Sequence, residues 1–136
     1  MAFIAKSDLN LSILIDELNE ITRGDDTIVT AAINSAQGEM RTYLYDSYDV
    51  DAIFSQTGDN RNQMLVNLMS DIAVFLIVGA CQAGQDLEDR KARYKRAIAW
   101  LKEAQDTKNY SDLPRRETTQ QTHFVSGSNP KRTNYY

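Results

Sequence analysis

Cysteine and histidine are almost missing from this 136-residue chain, which holds one of each, Cys81 and His123. A single cysteine excludes a disulfide framework and any Cys-based zinc site within one copy. A lone histidine in a polar stretch leaves no Ser-His-Asp or Cys-His constellation for nucleophilic catalysis. The six glycines never gather into a phosphate-cradling loop, and no internal repeat is present. Long apolar runs are lacking too. The most apolar stretch, Ile72–Cys81, falls far short of the roughly 20 residues that span a bilayer. The opening Met-Ala-Phe-Ile-Ala-Lys has neither the charged flank nor the cleavage site of a signal peptide. These absences predict a soluble protein made inside the cell, with no cofactor, no metal and no membrane contact. Cys81, set in Ile77-Val78-Gly79-Ala80-Cys81, is expected to be a buried free thiol.

What is present divides in two. Residues 1–106 carry ten Lys/Arg against seventeen Asp/Glu, a net charge of −7, while residues 107–136 carry five against two, a net +3. An acidic body argues against a dedicated nucleic-acid binder, whose footprint is a basic face. The basic end suits a partner with acidic grooves. Its apolar content is thin: Tyr110, Leu113, Phe124, Val125, Tyr135 and Tyr136. So little apolar surface does not offset roughly 1–2 kcal/mol of ordering entropy per residue. Order in this segment therefore requires something outside it. The chain reads as a body over 1–106 and an extended C-terminal arm over 107–136.

The body reads as all-α, a bundle of four to five helices. Ser7 is a natural N-cap, and the apolar residues from Leu9 to Ile21 mix periods of 2 and 3.6, predicting one or two short helices. Arg23-Gly24-Asp25-Asp26 is a turn in which Asp25 or Asp26 caps the next helix. From there Val29, Ala32, Ile33, Ala36, Met40, Tyr43 and Leu44 recur every three or four residues, the stripe of an amphipathic helix. Tyr45–Asn62 is a long connection pinned to the bundle by Val50, Ile53 and Phe54. The helix from Met64 to Val78 is apolar on most sides, which predicts the central, most buried element, ended by Gly79 and Gly84. Asp86 opens a last helix whose buried stripe is Leu87, Tyr94, Ala97, Ile98 and Leu101, widened by Trp100. Its pattern stops near Asp106, and Leu113-Pro114 forbids a helical continuation.

Three clusters could carry chemistry. Asp46, Asp49 and Asp51 gather carboxylates that hard cations favour, but the spacing is not that of a calcium loop, and a solvated loop is the better reading. Arg90, Lys91, Arg93, Lys95, Arg96 and Lys102 fall on nearly all sides that the buried stripe leaves free. That distribution describes a solvated face rather than a reading edge. In the arm, the pairs Phe124-Val125 and Tyr135-Tyr136 stand in polar sequence as anchors for partner pockets, with Arg115, Arg116, Lys131 and Arg132 available for rim contacts. Extended, thirty residues reach on the order of 100 Å.

The order of segments is similar to a known group. Phe3-Ile4-Ala5-Lys6-Ser7-Asp8-Leu9 resembles the opening of small tailed-phage proteins of the Mu-type head–tail connector group, and Glu17-Leu18-Asn19-Glu20-Ile21-Thr22-Arg23-Gly24-Asp25 resembles the stretch that follows there. Ala31-Ala32-Ile33, Glu39, Tyr43-Leu44 and Tyr48-Asp49-Val50 match its helix and tyrosine-containing loop. Asn67-Leu68, Asp71-Ile72-Ala73 and Arg93–Leu101 complete the resemblance, which covers about residues 3–106. It implies a non-enzymatic neck protein of the virion. Such a protein forms a homo-oligomeric ring, a dodecamer in the common case, beneath the portal protein and against further neck or tail ring proteins. Genomic DNA would pass nearby without specific binding. No catalytic residues carry over.

The expected function is therefore a structural head–tail connector docking by its arm. One rival is a small helical DNA-binding regulator using the last helix and the basic arm, which predicts salt-sensitive retention of duplex DNA in a gel shift. Another is a metal-dependent enzyme using Asp46, Asp49 and Asp51, which predicts bound divalent ion on elemental analysis.

Overall fold

A computed structural model of the chain describes residues 2–82, 87–107 and 113–116. The described residues form five α-helices with two short 3₁₀ turns and no strand longer than an isolated bridge. The helices are α1 (Ile15–Thr22), α2 (Asp26–Leu44), α3 (Val50–Phe54), α4 (Gln63–Ala80) and α5 (Leu87–Thr107). The all-α expectation holds.

Local chemistry sets the boundaries. The first turn, Lys6–Leu11, is capped at Ala5 rather than at Ser7. The Asp8 carboxylate accepts the Ala5 N–H at 2.8 Å, a stronger acceptor for an orphan amide than a serine hydroxyl. α1 stops where Arg23 and Gly24 take left-handed conformations, φ 57° and 75°. Asp25 then caps α2 by accepting the Thr27 N–H at 3.0 Å, as its position before the apolar stripe predicts. α2 buries Val29, Ala32, Ile33, Ala36, Met40 and Leu44.

α4 is the hub, packed on both α2 and α5. It is 18 residues long with mean hydropathy 1.8, so it has the length and composition of a membrane span. Eleven of its residues are nevertheless buried inside the bundle, among them Ser70 and Asp71, which identifies a core helix with a wide buried face. Gly79 does not end it. The helix runs to Ala80, Cys81 caps it, and the chain leaves through Gln82 at φ 54°. Cys81 is half-buried at that cap rather than fully enclosed. Gly84 and Asp86 lie outside the described residues.

The connection after α2 is more structured than its punctuation suggests. Asp49 caps α3 by accepting the Ala52 N–H at 3.1 Å, and Val50, Ile53 and Phe54 are buried as expected. Phe54 meets Phe3 edge-on at 5.1 Å, which closes the floor of the bundle over the N-terminal segment. Arg61 completes that closure. It pairs with Asp8 at 2.9 Å and donates to the carbonyls of Phe3 and Gly58. Burial pushes the Asp8 carboxyl up, but the Arg61 hydrogen bond, the Ala5 amide and the Arg61 charge together outweigh it and leave it below the usual carboxylate range.

Candidate partner-docking surface

The arm is tied down where it first returns to the body. Leu113 is buried at 4 % exposure, and the backbone that follows it closes a short antiparallel pairing with the loop after α2. The Asp49 N–H donates to the Pro114 carbonyl at 2.9 Å, and the Arg116 N–H donates to the Ser47 carbonyl at 3.1 Å. Tyr48 and Arg115 are the bridged pair. Between these two hydrogen bonds the Tyr48 ring drops into the core, 1 % exposed, and its hydroxyl donates to the Ala104 carbonyl at 3.0 Å. Two backbone bonds, one apolar plug and one buried phenol thus form a clasp joining the loop, the end of α5 and the arm.

Of the arm residues expected to face a partner, the structure places two. Arg115 is exposed on the clasp. Arg116 lays its guanidinium 4.6 Å over the Tyr45 ring and donates to the Tyr45 carbonyl at 3.3 Å. Tyr45 is itself 56 % exposed, so this cation–aromatic pair forms a flat outer surface beside the arm's exit. Phe124, Val125, Lys131, Arg132, Tyr135 and Tyr136 lie outside the described residues, as does His123.

The α5 face differs from its expected form. Arg90 is buried at 8 % exposure, and its Nη1 donates to both the carbonyl and the hydroxyl of Ser12. Asp71, also 8 % exposed, accepts the Ser12 hydroxyl at 2.9 Å and draws Arg93 and Arg96 to 3.7 and 3.6 Å. Three of the six basic residues therefore turn toward one carboxylate and one serine. The reason is electrostatic: Asp71 is buried on the central helix, and a buried carboxylate needs partners. The signal available in the sequence was an acid inside the apolar run Leu68–Val78. Leu87, expected in the buried stripe, is 47 % exposed, and Leu11 and Leu14 on either side of Ser12 are 56 % and 68 % exposed. Apolar surface thus surrounds the polar node where α5 meets the N-terminal segment.

One turn along α5 from Arg90, Tyr94 stacks on Phe75 at 4.4 Å and donates to the Glu39 carboxylate at 2.6 Å. That bond to an anion, then burial and the Glu39 charge, push the phenol up to about 12. The acids expected to be a solvated loop have ordinary structural duties. Asp49 caps α3, and Asp51 pairs with Arg41 at 2.9 Å. Among the described residues no group of three His, Cys, Asp or Glu side chains converges as metal ligands would. A cleft of ≈ 380 Å³ opens between the N-terminal half of α2 and the C-terminal end of α4, lined by Ile28, Ala31, Ala32, Leu76, Ile77 and Ala80.

Comparison with known proteins yields one match. Residues 3–126 match the model of the bacteriophage Mu Gp36 family, and the chain belongs to that family. It is a phage protein of Mu type. The match reaches some twenty positions beyond the resemblance read from the sequence, and so takes in the clasp and Phe124-Val125. No curated protein and no solved structure matches the chain.

Proposed function

We propose that this member of the bacteriophage Mu Gp36 family is a non-enzymatic structural protein of the virion, a head–tail connector of the phage neck. Its helical bodies assemble into a ring beneath the portal, of dodecameric symmetry in this reading, and its C-terminal arms dock onto the portal or an adjoining neck ring. The carrying observation is the clasp at Leu113–Arg116. It gives a long, basic, core-less segment a fixed point of departure from a rigid body, which is what an arm that works by reach requires. Each arm alone binds weakly, and a ring of arms holds its partner through effective concentration. Phe124, Val125, Tyr135 and Tyr136 serve as anchors, while Arg115, Arg116, Lys131 and Arg132 guide approach to an acidic surface. The acidic body repels passing DNA if it lines a channel.

The test is deletion of residues 117–136, which leaves the clasp and the body's packing in place. The expected result is a folded helical protein that no longer co-purifies with the portal or neighbouring ring. Co-assembly equal to that of the full chain would overturn the arm's role.

A further inference from the structure

We infer that the short helix α3 couples the clasp at residues 113–116 to the seating of the N-terminal segment at residues 3–8, so that loosening either one loosens the other. This deepens the arm reading above, because it lets the root of the arm act on the far end of the chain. The coupling itself belongs to the free subunit.

α3 is five residues long, Val50–Phe54. A helix that short does not stand alone in water, since nucleation costs more than a single turn of hydrogen bonds returns. It persists through what holds its two ends. At the first end Asp49 acts twice: its backbone N–H donates to the Pro114 carbonyl of the clasp at 2.9 Å, and its carboxylate caps the helix by accepting the Ala52 N–H at 3.1 Å. At the other end Phe54 meets the Phe3 ring edge-on at 5.1 Å, both side chains being buried. The Phe3 carbonyl accepts from Arg61, which also holds Asp8. The clasp therefore sets the cap of α3, and the N-terminal segment sets the docking of its last residue.

One further contact holds α3 independently of both ends. Arg41 of α2 pairs with Asp51 at 2.9 Å and lies 6.0 Å over the Phe54 ring. The Asp51 side chain is 87 % exposed, so water screens that pair and it contributes little. The two buried ends dominate. An element too short to survive alone, biased from both ends by different segments, is the physical condition for two sites to share free energy.

Amide hydrogen exchange on the full chain, resolved by residue with NMR, tests the coupling. Leu113→Asp expels the apolar plug and opens the clasp while leaving α3 and the N-terminal segment unchanged in sequence. It should speed exchange at the Asp49 and Arg116 amides, which donate across the clasp. It should also speed the distant Ala5 and Asp8 amides, which donate within the N-terminal segment, by at least about fivefold, the lower end of ordinary coupling factors. Phe3→Leu, which keeps an apolar side chain but removes the ring edge, should speed Asp49 and Arg116 by a similar factor. Ala52→Gly, a change within α3 itself, should speed both sets. Amides at residues 68–72 of the central helix should keep their rates in all three variants. If Leu113→Asp does not fold, Leu113→Ala gives the same reading. Faster exchange confined to the mutated end would overturn the coupling, as would an equal rise at residues 68–72, which marks global destabilisation. No partner is present, and the deletion of residues 117–136 leaves the clasp intact, so the arm's role is decided separately.

Discussion

The Tyr48 hydroxyl reaches the backbone carbonyl of Ala104 at 3.0 Å, which joins the loop after α2 to the last turns of α5 within the buried interior. The same residue pairs with Arg115 through the backbone, so a single tyrosine holds the end of the bundle and the departure point of the arm. Tyr48→Phe should cost about 1 kcal/mol, the net value of one buried hydrogen bond, and leave the helical content unchanged. Tyr48→Ala should cost about 3–5 kcal/mol, because it opens a cavity as well. Urea unfolding followed by circular dichroism separates the two. Trypsin cleavage after Arg115 and Arg116 should be faster in Tyr48→Ala than in Tyr48→Phe.

The Asp8–Arg61 pair gives the bundle an acid-sensitive closure. Burial works against the charged carboxylate, yet the bonds and charge around it win and its folded pKa lies below the ordinary value of 3.8. Its contribution is thus present above that ordinary value and lost as pH falls through the lowered folded pKa. Asp8→Asn should flatten the acid limb of the stability profile in this range. Arg61→Ala strands both Asp8 and the Phe3 carbonyl and should cost about 1–3 kcal/mol at neutral pH, measured by urea unfolding.

Tyr94 supplies the opposite sign at the alkaline end. Its hydrogen bond to Glu39, then burial, raise the phenol from 10.0 to about 12. The stabilisation is complete below the ordinary value and is lost as pH climbs through the raised one. Phenolate absorbance should show one tyrosine titrating later than the exposed ones, and Glu39→Gln should return it toward them. If Glu39→Gln leaves every tyrosine's titration in place, the bond does not govern that phenol.

How much of this was readable beforehand depended on whether a residue's fate was local. The stripe from Val29 to Leu44 and the Asp25 cap are readable because helix period and capping involve neighbours within one or two turns. Val50, Ile53 and Phe54 were recognisable as buried, but the five-residue helix that carries them was not, since its existence depends on docking against Phe3 and the core. Arg90, Arg93 and Arg96 read as solvated because a charged residue on a helix is usually solvated. Arg90 alone is turned inward, by the Ser12 carbonyl and hydroxyl, while Arg93 and Arg96 lean toward Asp71 and stay open to solvent. Leu87 differs in the other direction: it keeps the period, but it is the first residue of α5 and is half exposed at the helix end.

The amino-acid order alone assigns the class of the protein: an acidic all-helical body with a basic, core-less C-terminal segment and the segment order of Mu-type phage proteins. It could do so because composition and periodicity are sums over local preferences. Where that segment is gripped follows from long-range packing. Leu113, Pro114 and Arg116 close on Ser47 and Asp49, residues more than sixty positions away in sequence, and no local pattern encodes a pairing across that separation. The gap between those residues is closed by the packing of α2 and α5 on α4, which brings Tyr48 over Ala104.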